Sequence, residues 1–245
     1  MEMEVSFLSF FVWFAVSSFA QKGEQSYSLE GDWLKSVSVR RQLGKKGFHR
    51  ELQTFVRFGP DVPSGLCVLL IENLSSSLYV DRYELASLQE NGGTQVLLNS
   101  EVDLEAPAYS SSGFSLLVYP VISDTCSGCF VASFPIHARY HRPSSVGEKH
   151  VLINIDGPRL LVTFETGLLP WNNSEYLKTM AQCSSQNNSL CHWMEVAYKQ
   201  EVVSLQIPVG DEHRLCIVCT GTLLVIVLCS GLLGQVIWRN VQFQL

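Results

Sequence analysis

Enzyme signatures are the first thing this sequence lacks. Its 245 residues contain no GxSxG elbow, no P-loop, no HExxH and no GxGxxG string. Those absences remove the strained serine nucleophile, the phosphate-cradling loop, the helix-borne zinc hydrolase site and the dinucleotide turn. No Asp-x-Asp pair occurs either, so the usual metal ligands of a nucleotide-sugar enzyme are missing. Basic charge is short as well: 17 Lys and Arg stand against 23 Asp and Glu, for a net charge of −6. A mildly acidic surface argues against nucleic acid or an anionic membrane face as partner. No internal repeat or low-complexity run stands out. The chain is therefore expected to carry no catalytic residues, no metal, no cofactor and no direct small-molecule substrate.

Charge is missing altogether from Leu215 to Trp238. At about 1.5 Å per residue, a helix of this run is long enough to cross a hydrocarbon core of about 30 Å. A buried core helix rarely runs so far without charge. A removable C-terminal anchor signal would end the chain, whereas Arg239 and six more residues follow. Within the run, Thr220, Thr222, Ser230 and Gln235 are polar, and such groups are costly in lipid unless they meet a protein partner. A second apolar run, Val5 to Val16, opens the chain. Small residues Ser18 and Ala20 follow at −3 and −1 of a cut after Ala20, and the chain then turns polar. That is the pattern of a secretory signal, although Glu2 and Glu4 stand where positive charge is usual. The expected organisation is a signal peptide at 1–20, a luminal ectodomain at 21–214, a transmembrane helix at 215–238 and a cytoplasmic tail at 239–245.

Cysteines divide by compartment. Cys216, Cys219 and Cys229 lie in the span, as apolar packing residues. Cys67, Cys126, Cys129, Cys183 and Cys191 lie in the ectodomain, where an oxidising compartment makes them disulfide candidates. Five is odd, so at least one is free or bonded elsewhere, and the connectivity stays open. Cys126 and Cys129 have CxxC spacing, but a redox pair wants a helix N-terminus to lower the thiol pKa, and Phe130, Val131, Ala132 and Phe134 read as a strand. A zinc site would need a second pair at matched spacing, and Cys183 and Cys191 are eight apart. Sequons at Asn73, Asn172 and Asn187 are candidate glycosylation sites and would place those segments on the surface.

Alternation dominates the rest. From His49 to Phe58, Leu52, Thr54, Val56 and Phe58 fall on one face and Glu51, Gln53 and Arg57 on the other, as in a half-buried strand. Further strand-like runs are Leu66–Ile71, Leu78–Tyr83, Gln95–Leu98, Phe114–Val118, Phe130–Tyr140, His150–Ile155, Leu160–Phe164 and Val202–Ile207, separated by Gly, Pro and Ser turns. Many short strands with few helical patterns predict a mainly β, antiparallel sandwich-like ectodomain with one C-terminal transmembrane helix. The polar stretch from Leu168 to Cys191 reads as a long surface excursion, with Cys183 and Cys191 placed to staple it.

Two polar clusters stand out. In His137-Ala-Arg139-Tyr140-His141-Arg142-Pro143, strand alternation puts His137, Arg139 and His141 on one face. The arginine between the histidines works against a cation, and two histidines without a third ligand are not a metal site. In Leu78-Tyr-Val-Asp81-Arg-Tyr83-Glu84-Leu85 the charges read as a strand leading into a solvated turn, not as a paired-carboxylate site. Both clusters are candidate partner faces.

The ordered strings Gly47-Phe-His-Arg50, Leu78 to Leu88, Val102 to Pro107, Cys126-x-x-Cys129, Pro135 to Pro143, Cys191-His-Trp193 and Ile207-Pro-Val-Gly210, ending at the span, resemble the PIG-X family. Gly167 to Asn188 matches that pattern least well. The resemblance implies a non-catalytic accessory subunit of GPI mannosyltransferase I in the endoplasmic reticulum membrane. Its partner would be the multi-span catalytic subunit of the PIG-M type, which transfers the first mannose from dolichol-phosphate-mannose to the GPI precursor. One span without an acidic metal pair agrees, since such chemistry needs many spans. The expected contact residues are Ser230, Gly234 and Gln235 in the span, where small and polar groups let helices approach, with Asp81, Tyr83, His137, Arg139 and His141 in the lumen. The competing readings are a single-span cell-surface receptor or adhesion module, and a luminal thiol oxidoreductase built on Cys126 and Cys129. The tail carries no di-lysine or KDEL-type address.

Overall fold

The computed structural model describes residues 32–124, 126, 128–165 and 177–242. The expected signal peptide, Asn172 and residues 243–245 lie outside the described residues.

The described residues begin with a one-turn helix, α1 (Asp32–Lys35), and then build three antiparallel sheets. In the first, the hairpin β1 (Ser38–Gly44) and β2 (His49–Arg57) pairs through β2 with the long strand β8 (Cys129–Ala138). Two short strands, β4 (Leu78–Tyr79) and β7 (Val121–Ile122), pair with opposite ends of β8 on its far edge. The second sheet runs β11 (Lys178–Ser184), β12 (Asn187–Val196), β10 (Arg159–Phe164), β3 (Leu66–Leu74), β6 (Phe114–Tyr119), β5 (Gln95–Leu98). A two-stranded sheet joins β9 (His150–Ile155) to β13 (Val203–Pro208). The helix α2 (Arg82–Glu90) follows β4, and α3 (Leu215–Gln242) closes the described chain.

Alternation makes the core. Leu52 and Val56 of β2 and Phe130, Phe134 and Ile136 of β8 meet Val68, Leu70, Leu116, Val118, Leu160 and Val162 from the second sheet. The second sheet also buries its other face, where Leu69, Leu117, Tyr119, Leu161, Ala181, Cys191 and Trp193 form a separate cluster. Strands buried on both faces read as continuous apolar runs rather than alternating ones, which is why β3, β6 and β10 are Leu- and Val-rich throughout.

An ion pair crosses this interior. The Arg41 guanidinium of β1 donates to both carboxylate oxygens of Glu72 in β3, at 3.0 and 2.8 Å, and to the carbonyls of Ile155 and Asp156 at the end of β9. Both side chains are wholly buried. Burial pushes the Glu72 carboxyl up to about 7, against the pull of the Arg41 charge. One arginine thus joins strands from all three sheets.

The structure corrects several expectations. Leu78–Tyr83 is not a strand: β4 ends at Tyr79 and α2 begins at Arg82, because the Asp81 carboxylate accepts from the Tyr83 N–H at 2.8 Å and caps the helix. The stretch to Cys191 is not a surface excursion where it is described. Its residues 178–191 lie in the hairpin of β11 and β12, whose polar character reflects an exposed face carrying Lys178, Asn188 and His192. β1 was not anticipated. Strand β8 stops at Ala138, so Arg139 and His141 are not on a continuing strand.

Candidate functional site

Register builds the most unusual polar group on the molecule. In the first sheet, His49 of β2 lies opposite His137 of β8, and His137 lies opposite Tyr79 of β4. The three rings therefore form one row across the outward face. His49 and His137 meet edge-on with centroids 4.1 Å apart, and Tyr79 stacks on His137 at 4.8 Å and 17°. The first turn of α2 then brings Glu84 over the row. Its carboxylate lies 2.9 Å from His137 Nε2 and 3.4 Å from His49 Nε2. The sequence reading paired His137 with His141 and found no third ligand; the structure pairs it instead with His49 and Glu84.

The rest of the His137–Pro143 segment divides between inside and outside. Arg139 is only 4% exposed. Its guanidinium donates to the Ala106 carbonyl and lies 4.9 Å from the centre of the Tyr79 ring. Burial lowers its pKa from the ordinary guanidinium value, with Asp103 and Tyr79 opposing. The expectation that Arg139 shares an outward face with His137 is thus corrected: it anchors the segment from within. Tyr140 projects outward and packs its ring against Phe48 at 5.0 Å. His141 is half-buried, its Nε2 has no hydrogen-bond partner among the described residues, and burial lowers its pKa. Arg142 covers Tyr109 at 4.5 Å. Asp81 serves as the α2 cap, while Tyr83 is 76% exposed.

The cysteine candidates resolve into two pairs and a remainder. Cys126 and Cys129 are bonded, with Cα atoms 5.5 Å apart, and so are Cys183 and Cys191, at 5.1 Å. Cys67 is a free thiol, half-buried, its pKa raised by burial and then by Glu165. The CxxC pair sits in a turn entering β8, not at a helix N-terminus. Gly128 is required there: its φ is +74°, and a Cβ would stand 2.6 Å from Val62. Asn73 is exposed on β3, where its Oδ1 accepts from the Ser115 hydroxyl at 2.7 Å. Asn187 opens β12.

On α3 the threonines satisfy themselves. Thr220 donates to the Cys216 carbonyl at 2.7 Å and Thr222 to that of Val218 at 2.8 Å. Among the described residues, no group outside the helix's own backbone would lie within 4 Å of a Cβ at Gly231 or Gly234. The helix is long and apolar enough to cross a membrane, and its apolar window is 0% buried. Ser230, Gly234 and Gln235 are all exposed along it.

Sequence reasoning missed His49 and misplaced Glu84. The Asp81-x-x-Glu84 spacing, a helix-start signal of the capping-box type, could have found α2. No local signal could have found His49, because only the register of β2 on β8 brings it to His137.

A family model described as PIG-X / PBN1 matches residues 45–238. The chain is 37% identical over 216 residues to a Homo sapiens protein named GPI alpha-1,4-mannosyltransferase I, stabilizing subunit, covering 85% of this chain and 83% of that one. The Rattus norvegicus and Mus musculus proteins of the same name are 36% and 35% identical over 217 residues, each covering 85% of this chain and 84% of the relative. No solved structure matches. The match takes in every strand but β1, the His49–His137 row and most of the apolar helix, and on that ground the chain belongs to the PIG-X / PBN1 family.

Proposed function

We propose that this chain is the non-catalytic stabilising subunit of GPI mannosyltransferase I. The observation that carries the reading is similarity to proteins of that name along 85% of the chain. In this reading residues 1–20 are a signal peptide, 21–214 face the lumen of the endoplasmic reticulum, 215–238 cross its membrane and 239–245 form the cytoplasmic tail. The partner is a multi-span catalytic subunit of the PIG-M type, which transfers the first mannose from dolichol-phosphate-mannose to the GPI precursor.

Contact with the partner has two parts. In lipid, helices gain little from apolar burial and associate through close packing and interhelical hydrogen bonds. Ser230 and Gly234 offer a small face four residues apart, and Gln235 offers an amide beside it. The luminal part is the surface around Asp81, Tyr83, His137 and His141, with Arg139 holding it from behind. The test is the abundance of the catalytic subunit and first-mannose transfer in cells lacking this chain, with and without its re-expression. The subunit and the activity should fall together and return together. An unchanged catalytic subunit with normal surface GPI-anchored proteins would overturn the proposal.

A further inference from the structure

We propose that His49, Glu84 and His137 bind a divalent transition-metal ion of the zinc type. The proposal does not depend on membership of the mannosyltransferase complex. Three elements separated in sequence supply one ligand each, and the ligand atoms all lie within 4.8 Å of one another. Two imidazole nitrogens and one carboxylate form a set that zinc accepts, with a fourth position left for water or another donor.

The distances suit a metal site as well as the hydrogen bond between Glu84 and His137. Tetrahedral ligands about 2.0–2.1 Å from zinc stand about 3.4 Å from one another. Glu84 lies 2.9 Å from His137 Nε2 and 3.4 Å from His49 Nε2. The first contact is made by Oε2 and is a hydrogen bond. The second is made by Oε1, is longer than the roughly 2.7–3.2 Å of a good hydrogen bond and matches the spacing of two ligands on one ion, so a small shift of the carboxylate would place it on an ion.

The ligands are also held before any ion arrives. His49 and His137 are register partners on adjacent strands, so the sheet fixes their separation. Tyr79 stacks on the far side of the His137 ring. The Asp81 cap starts α2 where its first turn carries Glu84 to the row. Such preorganisation is what a metal site needs from its surroundings. Side-chain exposure rises from 15% at His137 through 37% at Glu84 to 48% at His49, so the group is anchored on one side and open on the other. Glu84 also lines a cavity of about 500 Å³ together with Lys45, Glu51 and Ser133. Arg139 beyond Tyr79 and Lys45 in the cavity oppose a cation, and Glu51 in the same cavity offsets Lys45. The bound ion would cross-link β2, β8 and α2.

The test uses the full chain purified in detergent, stripped with a chelator and titrated with zinc at neutral pH. The expected result is one ion per chain and a chelator-sensitive unfolding midpoint, because a ligand of the native state stabilises it by mass action. His49→Gln or Glu84→Gln should weaken zinc by more than the roughly 10- to 100-fold lost with an outer-shell partner. These two ligands are partly exposed, so the variants keep the fold even if a change at His137 does not. Cobalt in place of zinc should show the visible bands of a tetrahedral nitrogen and oxygen site without a thiolate band. Equal zinc uptake by wild type and both variants, no uptake at all, or a thiolate band pointing to Cys67 or the helix cysteines would each overturn the proposal.

Discussion

Leu70 in β3 is 0% exposed and Leu228 in α3 is 57% exposed, although both are leucines in regular secondary structure. The β-domain surrounds its apolar side chains with its own strands, and each fully buried Leu, Ile or Val contributes about 1.5–3 kcal/mol relative to an exposed one. The helix has no such shell among the described residues: Ile217, Leu223, Val227, Leu233 and Trp238 are all more than 60% exposed. Polar groups differ in the same sense. Arg41 and Glu72 pair with one another inside the domain, whereas Gln235 is exposed. One region carries its solvent within itself. The other is exposed along its length and long and apolar enough to cross a membrane.

Removing one half of the buried ion pair should have the largest effect. Arg41→Ala should cost about 3–5 kcal/mol, because it strands a buried carboxyl and two backbone carbonyls. Replacing both Arg41 and Glu72 by apolar residues of similar volume should cost less than the single change. Denaturant unfolding of the detergent-solubilised full chain, followed by tryptophan fluorescence, measures both; equal costs would mean the pair is not the clasp described here.

The direct test of the contrast is the same substitution in each region. Leu160→Ala, at a wholly buried position of β10, should cost about 2–5 kcal/mol. Leu228→Ala should move domain unfolding by less than about 0.5 kcal/mol. Similar losses would show that the helix packs on the domain after all.

Gly234→Leu should do the reverse of Leu160→Ala. Domain unfolding should stay unchanged while recovery of the catalytic subunit by co-precipitation drops, since a leucine would hold apart helices that small residues allow to approach closely. Full recovery would remove this face of α3 from the contact.

The smallest effect concerns Glu195, whose carboxyl is hydrogen-bonded by Arg159 at 2.7 and 3.1 Å and is thereby held below its ordinary 4.5. A carboxyl with a lowered folded pKa contributes stability that is present above the unfolded value and lost as pH falls through the folded one. Glu195→Gln should therefore flatten the acid limb of the stability curve below about 4.5. The Arg159 side chain is 38% exposed, so screening limits the effect to a few tenths of a kcal/mol. An acid limb identical to that of the wild type would assign the loss to other carboxyls.

Where one residue's neighbours in sequence decide its environment, the fold was legible. Leu52, Thr54 and Val56 alternate inward as read, and the uncharged run from Leu215 is a helix. Other elements were hidden for identifiable reasons. The β11–β12 hairpin closes one end of its sheet and exposes Lys178, Asn188 and His192, so its alternation looks like a polar loop. β1 carries Arg40 and Arg41 in adjacent positions, and nothing local says that one turns inward to an acid in another sheet. At Asp81 a cap signal was present but was outweighed by the strand-like Leu78-Tyr79-Val80 before it.

By itself the sequence determined the mainly β class, the apolar helix, the cysteines available to pair and the family, because periodicity, composition and ordered motifs are properties of neighbours along the chain. Only the tertiary structure decided which cysteines meet, that Arg139 points inward, that Arg41 reaches Glu72, and that His49, Glu84 and His137 converge. Those depend on strand register and on the approach of distant segments, which are settled by the packing of the whole core and not by any local pattern.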